Sequence, residues 1–273
     1  MPIKLPFPIR NITQPEFDEI DALVMRCAYA SQNELGRLCD ERVYENDLAA
    51  RLRDLGVPEV HTQVPIHAVH QDFTKEYRLD LLVNHAPYEL KTTAAFVALH
   101  DAQVLHYAMM VGVNHFKLLN FRPAKVTGLL RFNAVMPEER RQPAWNLVGW
   151  KPLTPACETL RAHLAALIDD WGTHLDSHLF EEALTHLFGG ENQCVRRVPI
   201  VRGGMQLGTH QVRIHSEGII FVVTAFGDPT SQRSHFQRLL RLTGQRAIQW
   251  INLSKRNISL LTLLAEPRQA NGD

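Results

Sequence analysis

The sequence predicts an α/β protein built from two like halves. Three observations carry this. Apolar residues recur at three- and four-residue intervals in some segments and at every second residue in others. A stretch with four prolines, "MPEERRQPAWNLVGWKPLTP", interrupts that pattern over residues 136–155. Beyond it, the same order of patterns begins again.

In chain order, "FDEIDALVMRCAYASQNELG" has helical spacing and stops near Gly36. "CDERVYENDLAARLRDLG" is a second helix, with Val43, Leu48, Leu52 and Leu55 near one face and Gly56 as its stop. Three strand-like segments follow, "HTQVPIHAVH", "EYRLDLLV" and "PYELKTT", the last two separated by the turn residues "NHAP". "AFVALHDAQVLHYAMMVG" returns to helical spacing, and "HFKLLNF" and "VTGLLRF" read as short buried strands. The first domain is therefore expected over 1–135, a linker or an ordered connecting arm over 136–155 and a second domain over 156–273.

The second half matches the first in order. "WGTHLDSHLFEEALTHLFGG" lies over "LGRLCDERVYENDLAARLRDLG", and "RRVPIVRGG" answers "TQVPIHAVH". "THQVRIHSEGIIFVVTAF" lies over "EYRLDLLVNHAPYELKTT", and Asn252 falls on Asn120. Shared order and spacing point to an internal duplication.

Composition excludes several classes. Four scattered cysteines (Cys27, Cys39, Cys157, Cys194) form no CxxC pair, which argues against a thiolate zinc site or a disulfide framework. No apolar run reaches the roughly 18–20 residues of a membrane span, and the first twenty residues lack the apolar core of a signal peptide. A cytoplasmic protein is expected. The formal net charge is zero, so any phosphate-binding surface must come from local arrangement. G-x-S-x-G, P-loop and GxGxxG motifs are all missing.

Chemistry concentrates in "EYRLDLLVNHAPYELK". Strand alternation puts Glu89 and Lys91 on one face, and Asp80 on the preceding strand can meet Glu89 at one end of the hairpin. Two carboxylates held together repel unless something positive lies between them. Mg²⁺ (or Mn²⁺), which prefers oxygen ligands, resolves that conflict, and the lysine supplies a point charge to a phosphate or a water. Such a set suits metal-assisted phosphodiester hydrolysis. Taken alone, D-x8-E-x-K is more commonly an ion pair on an exposed strand. Two more pairs favour a site: Glu41 and Glu45 lie four apart on the second helix, as do Gln103 and Tyr107 on the third. Either glutamate could add a ligand.

An acid on an early helix, D…ExK across a hairpin and QxxxY on the next helix resemble the PD-(D/E)XK nuclease superfamily. "LGRLCDERVYENDL…VPI…RLDLLV…YELKTT…HDAQVLHY…HFKLLNF" is similar, more narrowly, to its GxxExxY proteins over about residues 20–132. The resemblance implies two restriction-endonuclease-like domains, each a central mixed sheet flanked by helices. It implies that Asp80 and Glu89 bind the metal with Glu41 or Glu45, that Lys91 is catalytic, and that Gln103 and Tyr107 position the substrate. It also implies nucleic acid, first of all DNA, as that substrate. The signature's glutamate and tyrosine fall on Glu41 and Tyr44; its glycine falls on Leu38, with Gly36 two residues earlier.

The second half lacks this set. Asp80 is matched by Arg213 or Val212, Glu89 by Val222 or Phe221, Lys91 by Thr224 or Val223, Gln103 by His235 and Tyr107 by Leu239. Glu41 becomes Ser177 while Glu45 persists as Glu181, which favours Glu41 as the helix-borne acid. The half reads as degenerate, yet it carries Arg233, Arg238, Arg241 and Arg246, with Arg196, Arg197, Arg202 and Arg213 upstream. These make either a phosphate-tracking surface or a solvated face balanced by neighbouring acids. A non-catalytic binding module with a nuclease fold is the alternative to an enzyme, and a homo-oligomer is compatible with either.

Overall fold

The computed structural model of the chain describes residues 2–135 and 137–266, and the chain divides into two units, Met1–Pro137 and Glu138–Asp273. Each is an α/β unit with a mixed six-stranded sheet flanked by helices, the arrangement of a restriction-endonuclease-like domain.

The first unit runs β1 (Ile3–Lys4), α1 (Gln14–Leu35), α2 (Glu41–Asp54), β2 (Val60–His70), β3 (Phe73–Val83), β4 (Ala86–Lys91), α3 (Ala98–Val111), β5 (His115–Asn120) and β6 (Thr127–Phe132). Thr13 starts α1 with a capping box: its hydroxyl accepts from the Glu16 amide, and the Glu16 carboxylate accepts from the Thr13 amide at 2.8 Å. The strands lie in sequence order. All neighbours are antiparallel except β4 and β5, whose parallel pairing needs the crossover that α3 supplies.

Phe17, Val24 and Ala28 of α1 and Tyr44, Leu48 and Leu52 of α2 pack in one cluster with Leu81, Val83, Tyr88 and Leu90. That cluster fixes the faces of the hairpin. Asp80, Glu89 and Lys91 alternate with those apolar residues and so turn to the other side. A one-residue slip would bury the lysine in the α1–α2 core, so packing here dictates where the charges go.

The second unit runs α4 (Pro137–Arg141), β7 (Ala144–Gly149), α5 (Pro155–Trp171), α6 (Ser177–Leu187), α7 (Glu191–Cys194), β8 (Val195–Arg202), β9 (Met205–Ser216), β10 (Ile219–Thr224), α8 (Thr230–Thr243), β11 (Ala247–Ser254) and β12 (Asn257–Leu264). Its sheet order is β7-β12-β11-β10-β9-β8. Strands β8 to β12 therefore repeat the neighbour order of β2 to β6, with the parallel pair β10–β11 standing where β4–β5 stands. The sixth strand differs: β1 covers β2 in the first unit, whereas β7 covers β12 in the second.

Of the two readings of residues 136–155, a bare linker does not describe the stretch, since Ala144–Gly149 forms β7, parallel to β12 with Trp145 opposite Ile258. Most of β7 is exposed, so its sequence shows no apolar alternation and reads as irregular. Met136 lies outside the described residues. The helix α5, with Leu160, Leu164, Leu167, Ile168 and Trp171 buried, also escaped the sequence reading. Among the described residues no helix is long and apolar enough to cross a membrane.

Candidate active site

Strands β3 and β4 pair only as far as Leu81 and Tyr88. Beyond that they part, and the backbone amide of Leu90 donates to the Asp80 carboxylate at 2.8 Å. The aspartate thus holds the gap open in place of a ladder bond. Glu89 stands beside it, 3% exposed. Its Oε1 accepts from Lys91 Nζ at 2.7 Å and from the Gln103 amide of α3 at 2.7 Å. The same amide lies 3.4 Å from the Tyr107 hydroxyl. Asp80, Glu89, Lys91, Gln103 and Tyr107 therefore meet at one place, where the crossover helix passes over the end of β4.

The helix-borne acids divide. Glu41, in the first turn of α2, accepts from the Thr92 amide at 3.0 Å, just past the end of β4. Glu45 lies deeper: one oxygen accepts from Arg42 at 2.6 Å and the other from Gln63 at 2.7 Å. Gln63 was not singled out from the sequence. Its amide also lies 3.3 Å from Asp80, tying that acid to Glu45. It holds a φ of +52°, a left-handed conformation that is costly for a glutamine. In the sequence it is only one more residue on the less buried phase of β2, in line with His61, Pro65 and His67.

Electrostatics follow from burial. Desolvation pushes the Glu89 carboxyl up to about 8, and the neighbouring Asp80 adds to the rise while Lys91 opposes it. Asp80 is raised for the same first reason, against the stabilising Leu90 amide and Lys91. Burial alone would lower Lys91, but Glu89, Asp80 and Glu41 outweigh it and raise it. Burial likewise raises Tyr107 and Glu45. One lysine thus faces more carboxylates than it can neutralise, and the cluster is short of positive charge.

A divalent cation fits that deficit. The second oxygen of Glu89, Oε2, is buried and has no hydrogen-bond partner, and Asp80 offers a second carboxylate beside it. The larger ligand set expected from the sequence does not assemble: among the described residues no three His, Cys, Asp or Glu side chains are grouped to hold a metal. Glu41 and Glu45 are instead turned to Thr92 and to Arg42 and Gln63. Two carboxylates suffice for magnesium, which commonly keeps several waters and takes its remaining ligands from substrate phosphate.

Tyr44 has a structural task. Its hydroxyl donates to the Gly36 carbonyl at 2.7 Å and receives the Cys39 amide at 3.3 Å, and its ring stacks on Phe121. Gly36 has a φ of +77°, so it makes the turn, while Leu38 is 81% exposed.

The counterpart hairpin is now registered. Lys91 pairs with Asn120 and Thr224 with Asn252, so Thr224 stands in the place of Lys91 and Val222 in that of Glu89. Phe221 faces Arg213 as Tyr88 faces Leu81, which leaves Val212 in the place of Asp80. Val212 and Val222 both pack in the apolar cluster beneath α8.

A carboxylate pair and a lysine thus meet at the parted ends of two sheet strands, under a crossover helix. Residues 18–132, most of the first unit, match the model of the PD-(D/E)XK nuclease superfamily. No curated protein matches the chain. Among solved structures, the crystal structure of SSO0001 is similar at 14% identity over 42% of this chain and 67% of that one. The TM-score between the two is 0.26.

Proposed function

We propose that the chain is a metal-dependent nuclease that hydrolyses phosphodiester bonds of nucleic acid, DNA first of all, at the site in residues 1–135. The observation that carries this reading is the convergence of Asp80, Glu89 and Lys91, with one buried Glu89 oxygen unpartnered. Asp80 and Glu89 hold the cation, Mg²⁺ or Mn²⁺. Bound there, such a cation would supply Lewis-acid polarisation of a phosphoryl oxygen and would acidify a water. Lys91, raised and hence protonated at neutral pH, acts as a positive charge on the phosphate or its attacking water and not as a proton acceptor. Gln103 fixes the rotamer of Glu89 and orients the Tyr107 hydroxyl toward the same space. Glu41 holds the backbone after β4 and is the nearer of the two helix acids to the chain that carries Lys91.

Within the superfamily we place the first unit with the GxxExxY proteins, on Glu41 and Tyr44. We read residues 156–273 as a degenerate copy joined through 136–155. A shared side-chain device supports this. Asn120 accepts from the Thr93 amide and donates to the Thr93 carbonyl, and Asn252 does the same to Phe226. Four free cysteines fit a reducing compartment, and we place the protein in the cytoplasm.

Because no third acid joins Asp80 and Glu89 among the described residues, a nuclease fold that binds nucleic acid without cutting it is the second reading. One assay separates them. The chain is incubated with single- and double-stranded DNA and RNA, in Mg²⁺ or Mn²⁺ and in chelator, beside Lys91→Ala and Asp80→Ala. Cleavage that needs the metal and falls at least ~10²-fold in both variants is expected. Unchanged cleavage in both, or none in the native chain, sinks the nuclease reading.

A further inference from the structure

Arginines and carboxylates are unevenly distributed in the second unit. Residues 195–246 contain eight arginines, no lysine and two acids, Glu217 and Asp228, a formal charge of +6. The rest of the chain after residue 132 holds seven basic and eleven acidic residues, or −4. This separation follows the fold. No strand of the second sheet, and no turn of α8, contains an aspartate or glutamate. Six acids, Glu158, Asp169, Asp170, Glu181, Glu182 and Glu191, lie on α5, α6 and α7, and Glu138 and Glu139 lie on α4.

Of the eight, Arg213 is the one with an acidic partner among the described residues, Glu181 of α6 at 3.1 Å. Among the described residues Arg202, Arg233, Arg238 and Arg241 have no acidic partner within salt-bridge distance, and all four are exposed. Neighbouring acids therefore do not balance this face. On α8, Phe236, Leu239 and Leu240 pack on the sheet, so Arg238 and Arg241 point away from it. On β8, Val198 shares that cluster, and alternation places Arg196 and Arg202 on the same side of the strand.

The β8–β9 ribbon adds a second observation. In the first unit β1 pairs with β2 and alternate residues of β2 are buried. In the second, β8 is an uncovered edge, and every residue from 201 to 211 is exposed, around the tip Arg202-Gly203-Gly204-Met205. Met205 is 66% exposed. A projecting two-stranded ribbon with an arginine at its tip, beside a helix of unpaired arginines, has the shape and charge for a duplex groove and its flanking phosphates.

We propose that this face of the second unit binds duplex nucleic acid, the ribbon entering the major groove while Arg233, Arg238 and Arg241 neutralise phosphates. The proposal rests on nucleic acid as the partner, but not on cleavage. Its test is fluorescence anisotropy of the full chain on a labelled random-sequence DNA duplex, in chelator, across a salt series. Arg233→Gln/Arg238→Gln/Arg241→Gln should make the slope of log affinity against log salt shallower by about 2 to 3, and Arg202→Gln should weaken binding on its own. Arg161→Gln/Arg256→Gln, at arginines already paired with Glu158 and Glu139, should change neither. Equal slopes in the triple variant and the native chain overturn the proposal. So does tighter binding of single strands than of duplex, or equal binding of polyglutamate. Metal-dependent cleavage surviving beside an unchanged slope would overturn this face while leaving the nuclease reading intact.

Discussion

If Glu89 holds a metal, that metal must displace a proton. The carboxyl titrates near 8 in the folded chain against 4.5 when unperturbed, mainly because it is buried. At pH 7 only about one site in ten is then ionised, so a cation binding there should release roughly 0.9 proton. Apparent affinity should rise about tenfold per pH unit up to about 8 and then level off, a change of about 1.4 kcal/mol per unit. The sign for the metal-free fold is opposite. Between 4.5 and about 8 the folded chain holds a proton that the unfolded chain has lost, so stability falls as pH rises across that window. The assay is calorimetric titration with Mn²⁺ at pH 6, 7 and 8, in buffers of different ionisation enthalpy, on the native chain and Glu89→Gln. Equal affinity at pH 6 and 8 with no proton released would refute the assignment of Glu89. Glu89→Gln should bind weakly and release none.

Gln63→Ala should cost about 1–3 kcal/mol and weaken metal binding, because Glu45 and Asp80 lose a buried donor; urea denaturation and metal titration check both, and Gln63→Gly should recover part of the stability by relieving the positive φ. Tyr44→Phe should lower stability by about 1 kcal/mol, seen as a reduced melting temperature, through loss of the bond to Gly36. Gln103→Leu should reduce turnover while leaving the fold intact by circular dichroism, since it frees the Glu89 side chain to leave its rotamer.

The sequence made some of this legible and hid the rest for physical reasons. Asp80, Glu89 and Lys91 could be found because alternation on a strand is rigid, so i and i+2 must share a face. Gln103 and Tyr107 could be found because residues four apart on a helix lie on one face. Glu45 was harder to place, since helix spacing says which face it occupies but not that Arg42 and Gln63 already claim both its oxygens. Gln63 itself could not be found: its role depends on a φ that its residue type disfavours, and tertiary packing alone imposes it. Strand β7 was invisible because an exposed edge strand needs no apolar pattern.

The bare edge of β8 has one more consequence. An uncovered strand presents free amides and carbonyls on which a second identical chain could add its own. Arg196, Arg197 and Arg202 lie along that edge, so two copies approaching there bring like charges together. The residues that would draw in a polyanion also discourage self-association at β8, which lets the second unit leave its ribbon open without becoming a seed for aggregation.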